Sequence, residues 1–344
     1  MKNKKLFAAG ILIFIVVFCF DCFHFEQMAF QDNAPNFTLP FILRSVALFL
    51  SAYLLIVAFE NKASKDLEKD SFLERKLNRV ALAIGIVFMA CSSYLLVFNN
   101  AVFDALAKED SIIEYSSALL AFLSSAILLF SYFKFLRSSS NKNMLLKGSV
   151  LVIAFGLFLI AMEEISWFQR ILDYKTPEAF MSNKQREFNL HNFQTNYVEG
   201  AYYFGAFIFF LCIPYLKINS FKFLINKRLE GLVPSRVVMI IGALSCTYTY
   251  DMWNIAFMQF AFYGSIVILW QISKKELHKR ERLFLRFIII FIILVQLIFV
   301  SFGTHYIRSW SITEYREFMI PFGFFIYALG LYASAKKHHI KPIV

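Results

Sequence analysis

The sequence predicts an all-α integral membrane protein, a bundle of about ten transmembrane helices with both termini in the cytoplasm. Three observations support this fold class. Apolar residues make up 59% of the 344 residues and charged residues only 17%, whereas about a quarter of the residues in a typical soluble domain are charged. The apolar residues cluster into long runs. The basic residues lie between alternate runs.

Ten apolar segments reach or approach the length of a membrane crossing, which needs about 20 mainly apolar residues. The first follows a basic N-terminus but precedes no small-residue cleavage site, so we interpret it as an uncleaved helix. The seventh is short, and only residues 251–254 separate it from the eighth, which predicts a tight hairpin or two half-helices. The ten segments are residues 6–20, 41–59, 80–98, 112–133, 148–165, 198–216, 237–250, 255–273, 287–303 and 318–335.

The positive charges indicate how the bundle is oriented. With a cytoplasmic N-terminus, 27 of the 35 Lys and Arg residues fall in segments that face the cytoplasm, as the positive-inside rule requires. The net charge of +11 is therefore a topology signal and does not indicate binding to nucleic acid. We expect a multi-pass protein of the bacterial inner membrane, with membrane lipids as partners and no nucleic acid.

The rest of the chain is organised around residues 161–193, which combine a helix end with the longest predicted outer loop. Glu163 and Glu164 close the fifth apolar segment, and ionisable residues within a membrane are usually functional. Two adjacent carboxylates at low dielectric do not both ionise easily, and a shared proton suits general acid–base catalysis. Arg170 is then expected to bind an anionic group. The alternative is a structural Glu–Arg pair that ties the loop to the bundle.

Further polar residues are predicted to gather at the same outer end and to line a substrate site. If the fifth helix continues, Glu163, Trp167 and Arg170 share one of its faces. For the glutamates near helix starts, the alternative role is simple capping. The predicted substrate-binding residues are Glu114, Trp167, Asn189, Asn192, Asp251 and Glu317.

Two local patterns add detail to this outer end. Thr176 followed by Pro177 and Glu178 is typical of a helix start and predicts a short interfacial helix to about residue 184. Residues 111–115 read SIIEY and residues 311–315 read SITEY. This similarity hints at an internal repeat and places a glutamate near the outward start of two different helices.

The histidines raise the hypothesis of a metal site. His191 lies just before the sixth segment and His305 just after the ninth. Neutral imidazoles with a nearby glutamate are able to bind a divalent metal such as zinc and leave a position open for water. No HExxH spacing supports this hypothesis, and the ligands would have to come from separate helices. The alternative is that both histidines are hydrogen-bonding residues at the membrane interface.

The central stretch also carries an extended motif. Residues 163–170 read EEISWFQR, Thr176 and Pro177 follow, and residues 183–192 read NKQREFNLHN. The chain resembles an uncharacterised family of bacterial multi-pass membrane proteins with the pattern EEISWxQR…NxQxExNLHN. Phe168 stands where glycine is expected. The resemblance covers about thirty residues and implies a multi-pass fold, but no established activity. A looser similarity to CAAX-protease-like membrane proteins rests on the glutamate pair, although the spacing to Arg170 differs.

Three functions remain open from the sequence. The first is an enzyme, a hydrolase or group transferase, that acts on a lipid or lipid-linked substrate at the outer face. In it Glu163 or Glu164 is the acid–base, Arg170 binds an anionic group, and His191 and His305 bind metal or stabilise an oxyanion. The second is a transporter whose short seventh segment forms a broken helix at the binding site. The third is a non-catalytic scaffold.

Overall fold

The structure, a computed structural model, describes residues 3–27, 29–61, 71–137, 144–183, 186–221 and 230–340. The side chains of residues 170, 230 and 338–340 lie outside this description. The described chain is helical and contains no β-strand, which confirms the all-α prediction. Long apolar segments form helices in a membrane because every backbone polar group must find its partner without water.

Nine helices of the described chain are long and apolar enough to cross a membrane, which confirms the prediction of a multi-pass protein. Helices α9 and α10 begin at Lys279 and Ser311, ahead of the predicted residues 287 and 318, because a charged first turn extends a helix without adding hydropathy. The nine are α1 (Lys4–His24), α2 (Leu39–Ala58), α3 (Lys76–Phe98), α4 (Ile112–Leu136), α5 (Met144–Glu164), α6 (Thr195–Ile218), α8 (Ala256–Lys275), α9 (Lys279–Ser301) and α10 (Ser311–Ile340).

The helices differ in how much of their surface the bundle covers. In the most apolar part of α8, 72% of the residues are buried, compared with 17% in α1. Helix α8 therefore lies at the centre, where it contacts α2, α6 and α9. Helix α1 packs mainly against α2 and leaves large apolar side chains exposed. In a membrane protein such a surface faces lipid.

The seventh predicted helix is shorter than expected. Helix α7 covers Arg236–Ser245, and all ten of its residues are buried. Residues 246–255 are not helical, so the predicted helix over 237–250 is wrong in its last part. Irregular backbone at membrane depth is tolerated where protein buries it. The buried side chains of Tyr248, Met252 and Ile255 meet this condition.

The loop between α1 and α2 supplies backbone partners for this non-helical segment. The amide of Asn33 donates to the carbonyl of Asp251 at 2.8 Å, and the amide of Asn254 donates back to the carbonyl of Asn33 at 2.8 Å. The side-chain amide of Asn254 also donates to the carbonyl of Ala34. The loop between α1 and α2 thus holds the segment after α7 in its irregular path.

Arg44 stabilises the contact between α1 and α2 from inside the bundle. Its guanidinium donates two hydrogen bonds of 2.5 Å to the carboxylate of Asp21 and a third to the side chain of Gln259 at 3.0 Å. Arg44 and Asp21 are both buried. A buried ion pair persists when further hydrogen bonds satisfy its members. Arg44 therefore neither reaches the glutamates of the central motif nor snorkels to the membrane surface.

Helix α5 ends at Glu164 and does not continue to Arg170. Ser166, Trp167 and Phe168 follow with φ values of 44°, 52° and 67°, which lie in the left-handed region. Three consecutive left-handed residues turn the chain sharply away from the helix axis. The interfacial helix predicted from Thr176 is also absent over the described residues, because only the single 3₁₀ turn Glu178–Phe180 forms there.

The conformation of Phe168 leads to a stability prediction. A side chain with a Cβ atom in the left-handed region costs about 1–2 kcal/mol, whereas glycine has no such cost. Phe168→Ala and Phe168→Gly remove the same ring, so they isolate the backbone contribution. We expect Phe168→Gly to be more stable than Phe168→Ala by about 1 kcal/mol in thermal unfolding of detergent-purified protein. Equal stabilities would mean that residue 168 is not left-handed.

Candidate functional site

A cavity of about 520 Å³ opens at the end of the bundle where α4, α6 and α10 begin and α5 ends. We call this end the carboxylate end and the cavity the carboxylate cavity. Eleven of its 22 lining residues are acidic. They are Asp32, Glu109, Asp110, Glu114, Glu163, Glu164, Glu187, Glu199, Asp251, Glu314 and Glu317.

Positive charge is scarce in this cavity. His191 is the one basic residue of the described lining, which contains no Lys or Arg. A sphere of about 520 Å³ is about 10 Å across, which equals the Debye length at about 0.1 M salt. The carboxylates therefore act on one another with little screening. So many negative charges at low dielectric require protons or a cation to accompany them.

Glu163 fixes the loop that follows α5. Its Oε1 accepts a hydrogen bond of 2.8 Å from Nε1 of Trp167. Its Oε2 accepts from the backbone amides of Leu190 at 2.6 Å and His191 at 3.1 Å, and Nδ1 of His191 lies 3.5 Å away. Both carboxylate oxygens are thus used to hold the two ends of the loop together. This is a structural role.

Glu164 has a different environment from its neighbour. The side chain of Glu164 also lines the carboxylate cavity. The loop amides of Leu190 and His191 donate their hydrogen bonds to Glu163 and not to Glu164. Adjacent residues on a helix point about 100° apart, so only one of the pair meets the loop. Both glutamates line the cavity, but only Glu163 also holds the loop amides. The expectation that Glu163 or Glu164 is the acid–base stays a prediction.

A second network fixes the centre of the loop. The hydroxyl of Ser166 donates to Oε2 of Glu187 at 2.6 Å, and Nδ2 of Asn189 donates to the same oxygen at 3.2 Å. The amide of Glu187 donates to Oδ1 of Asn183 at 3.1 Å, and Nδ2 of Asn183 returns a bond of 2.6 Å to the carbonyl of Glu187. These residues are buried.

The remaining motif residues brace the loop on its other side. Nε2 of Gln169 donates to the hydroxyl of Thr176 at 2.6 Å, and Oε1 of Gln169 accepts from the amide of Phe188 at 2.6 Å. The Thr176 hydroxyl donates to the carbonyl of Arg186 at 2.7 Å. The described polar residues of the motif are therefore mostly partners of one another, and the motif specifies a folded loop beside the cavity.

Glu317 reaches the cavity from within α10. Its Oε1 accepts a hydrogen bond of 2.5 Å from the hydroxyl of Tyr203. The guanidinium of Arg316 lies over the ring of Tyr203 in a cation–π contact, with Cζ 4.5 Å from the ring centroid. Arg316 is fully buried, and its Nε and Nη2 have no hydrogen-bond partner among the described residues. Burying an arginine without a carboxylate partner costs free energy. The positive charge of Arg316 partly offsets the negative charge of the carboxylates in the cavity beside it.

The two similar pentapeptides occupy equivalent positions. Helices α4 and α10 pack along each other and both begin at the carboxylate end, so Glu114 and Glu314 enter the same cavity from the first turns of neighbouring helices. Oε2 of Glu114 accepts from the amide of Asp110 at 2.6 Å. Glu114 therefore caps α4, as the alternative interpretation proposed, and also lines the cavity.

His305 and Arg308 lie near the carboxylate end but do not line the cavity. Nδ1 of His305 is 3.2 Å from the carbonyl oxygen of Leu96. Arg308 donates to Oδ1 of Asp104 at 2.8 Å, and Ser311 donates to the same oxygen at 2.6 Å. Burial alone would raise the pKa of Asp104, but these hydrogen bonds and the charge of Arg308 lower it below its ordinary value. Arg308 thus fixes the start of α10.

The zinc hypothesis gains no support from this geometry. Within the described part of the chain, no three His, Cys, Asp or Glu side chains are placed together as ligands of one metal ion. His191 and His305 do not meet, because only His191 lines the carboxylate cavity. The hydrogen-bonding role that was the alternative for both histidines agrees with their observed contacts.

The structure gathers most of the residues predicted to form the site. Trp167 does not line the cavity, His305 lies outside it, and the side chain of Arg170 lies outside the described residues. The predicted residues that line the cavity are Glu114, Glu163, Glu164, Asn189, His191, Asn192, Asp251 and Glu317. The sequence reasoning missed Asp32, Glu199, Tyr202 and Arg316. Glu199 could have been identified from the sequence, because it is a carboxylate within the sixth apolar segment.

Comparison with known proteins gives no match to a family model, to a curated protein or to a solved structure. The resemblance to an uncharacterised membrane protein family therefore stays a prediction. The function has to be argued from the geometry and charge of the carboxylate cavity.

Proposed function

We propose that this protein is a membrane carrier that binds a cationic solute in the carboxylate cavity. The observation that carries the proposal is the charge of the lining, with eleven acidic residues and no Lys or Arg among those described. An anionic headgroup would meet repulsion from nearly every side. A cation would add positive charge to this acidic lining, and opposite charge favours the ionised form of nearby carboxylates.

The short helix α7 and the non-helical segment after it support a carrier. Substrate and ion sites of many transporters lie at discontinuous helices, where free carbonyls and half-helix C-terminal ends bind cations. Helix α7 ends at Ser245, and the non-helical residues after it lead to Asp251 in the cavity lining.

A second candidate is the enzyme acting on a lipid or lipid-linked substrate at the outer face. Glu164 and His191 favour it, because they line the same cavity and are able to exchange protons with a bound substrate. The charge of the cavity restricts such a substrate to one with a cationic headgroup. In this candidate Glu163 positions the loop and does not take part in the chemistry.

The test uses purified full-length protein in proteoliposomes. We expect saturable binding and accumulation of at least one member of a panel of labelled inorganic ions and alkylamines, and no binding of inorganic phosphate. A matched control is Asp173→Asn, which removes an exposed carboxylate outside the carboxylate cavity. It should behave like wild type. Phosphate binding without cation binding would overturn the proposal, and turnover of an amine-bearing lipid without accumulation would favour the enzyme.

A further inference from the structure

The carboxylate cavity differs from a metal-ion site in size and in the distribution of its ligands, and this difference defines the solute. We infer that the ligand is an organic cation with at least two ammonium groups separated by an apolar chain, an aliphatic diamine or polyamine. This inference rests on the proposed function, because it names the class of cation that the cavity binds.

The size of the cavity argues against a bare ion. A water molecule occupies about 30 Å³ in the liquid, so about 520 Å³ is far more space than one metal ion and its ligands need. Although many carboxylates line the cavity, no three His, Cys, Asp or Glu side chains among the described residues are placed so that they could hold one metal ion. The volume instead falls within the range of about 300–1,000 Å³ that is usual for organic ligands.

The carboxylates enter the cavity at different depths and from different elements. Glu314 lies in the first turn of α10, and Glu317 lies one turn further into the bundle, about 4.5 Å along the helix axis. Glu164 enters from the end of α5, and Asp251 from the non-helical segment after α7. Separated negative charges are matched best by a ligand whose positive charges are also separated.

Apolar side chains also contribute to the lining of the cavity. Leu159 and Ile160 of α5 and Val198 of α6 contribute aliphatic surface, and Tyr202 and Trp310 contribute aromatic surface. Methylene groups gain free energy when they leave water for such surfaces. A chain of methylenes between two ammonium groups therefore complements the lining better than a hydrated inorganic ion.

Unpartnered acceptor atoms provide an independent indication of a hydrogen-bond donor. Oδ1 of Asp251 and Oδ1 of Asn189 have no partner among the described residues, although the two residues are only 4% and 2% exposed. The hydroxyls of Thr195 and Tyr202 are also without a partner, and all four residues line the cavity. An ammonium group donates three hydrogen bonds and accepts none. It is thus the type of group that these atoms lack.

Calorimetric titration of the full-length protein in detergent tests the inference. The probes are straight-chain α,ω-diaminoalkanes of two to ten carbons, monoamines and α,ω-diols of the same lengths, and Mg²⁺ and Zn²⁺. We expect the best diamine to bind at least about tenfold more tightly than its monoamine, as one extra charged hydrogen bond would provide. We expect a clear optimum in chain length and no measurable binding of the diols.

Two variants connect the effect to the cavity. Glu317→Gln and Glu314→Gln should each reduce the preference for the diamine over the monoamine to less than about threefold, while Asp173→Asn should retain it. Two variants at different depths keep the test decisive if one of them fails to fold. Equal affinity for mono- and diamines, or binding of a metal ion alone, would overturn this inference and leave the proposed carrier standing. Absence of binding by every cation would overturn both.

Discussion

Asp251→Asn should lower the affinity of the carboxylate cavity for its cation by about a hundredfold. The carboxylate of Asp251 is almost fully buried, and its Oδ1 has no partner among the described residues. A hydrogen bond that involves a charged group contributes about 1.5–3 kcal/mol, and about 2.8 kcal/mol corresponds to a hundredfold change in affinity. Asparagine keeps the shape of the side chain but removes the charge that attracts the cation.

The fold should survive this substitution. Asp251 contacts the loop between α1 and α2 through its backbone carbonyl, which accepts from the amide of Asn33, and the substitution leaves that bond in place. The affinity is measured by calorimetry with the tightest-binding cation of the panel, and thermal unfolding checks the fold. Asp173→Asn is the control for the loss of one negative charge. Wild-type affinity in Asp251→Asn would place the cation elsewhere.

Glu163→Gln should be measurably destabilising, whereas Glu164→Gln should fold nearly as well as wild type. Glu163 accepts hydrogen bonds from Trp167, Leu190 and His191 through both of its oxygens. Glutamine keeps one acceptor oxygen and places an NH₂ group against donors. These hydrogen bonds are partly buried or exposed, so we expect a loss of about 1–2 kcal/mol in the free energy of unfolding.

The two glutamates form a matched pair, because they are adjacent and the chemical change is the same. Thermal unfolding and limited proteolysis of residues 166–193 measure the difference between the variants. Glu164→Gln should instead change cation affinity, since Glu164 lines the cavity without holding the loop amides. Equal destabilisation by both substitutions would show that the loop is attached in a different way.

These substitutions also distinguish a scaffold from a carrier or an enzyme. A scaffold predicts that every substitution of the Glu–His network acts through folded yield alone. A carrier or an enzyme predicts that Glu164→Gln and Asp251→Asn lose ligand binding in protein that folds normally. The contrast between Glu163 and Glu164 is therefore informative even before the solute is known.

Much of the fold follows from the sequence because membrane insertion is governed by local properties. An apolar run of about 20 residues has few alternatives to a helix in lipid, and nine of the ten predicted segments are long apolar helices in the described chain. Local sequence also identified eight of the 22 lining residues, partly because carboxylates at the ends of apolar runs are exceptional. Glu114, Glu164 and Glu317 were found in this way.

Other features depended on contacts between distant parts of the chain. The non-helical segment after α7 has backbone partners in Asn33, about 200 residues earlier in the chain. The separate roles of Glu163 and Glu164 depend on where the loop amides of Leu190 and His191 fall. Neither of these long-range contacts can be predicted from hydropathy or from residue spacing.

The sequence by itself determined that this protein is a multi-pass helical membrane protein with acidic groups concentrated towards one end. Only the tertiary structure decided that those groups line one cavity, that His305 lies outside it and that Arg316 is buried beside it. The physical reason is that insertion of each helix depends on its own residues, whereas a cavity depends on how several helices pack together. The acidic lining of the cavity is therefore a property of the assembled bundle.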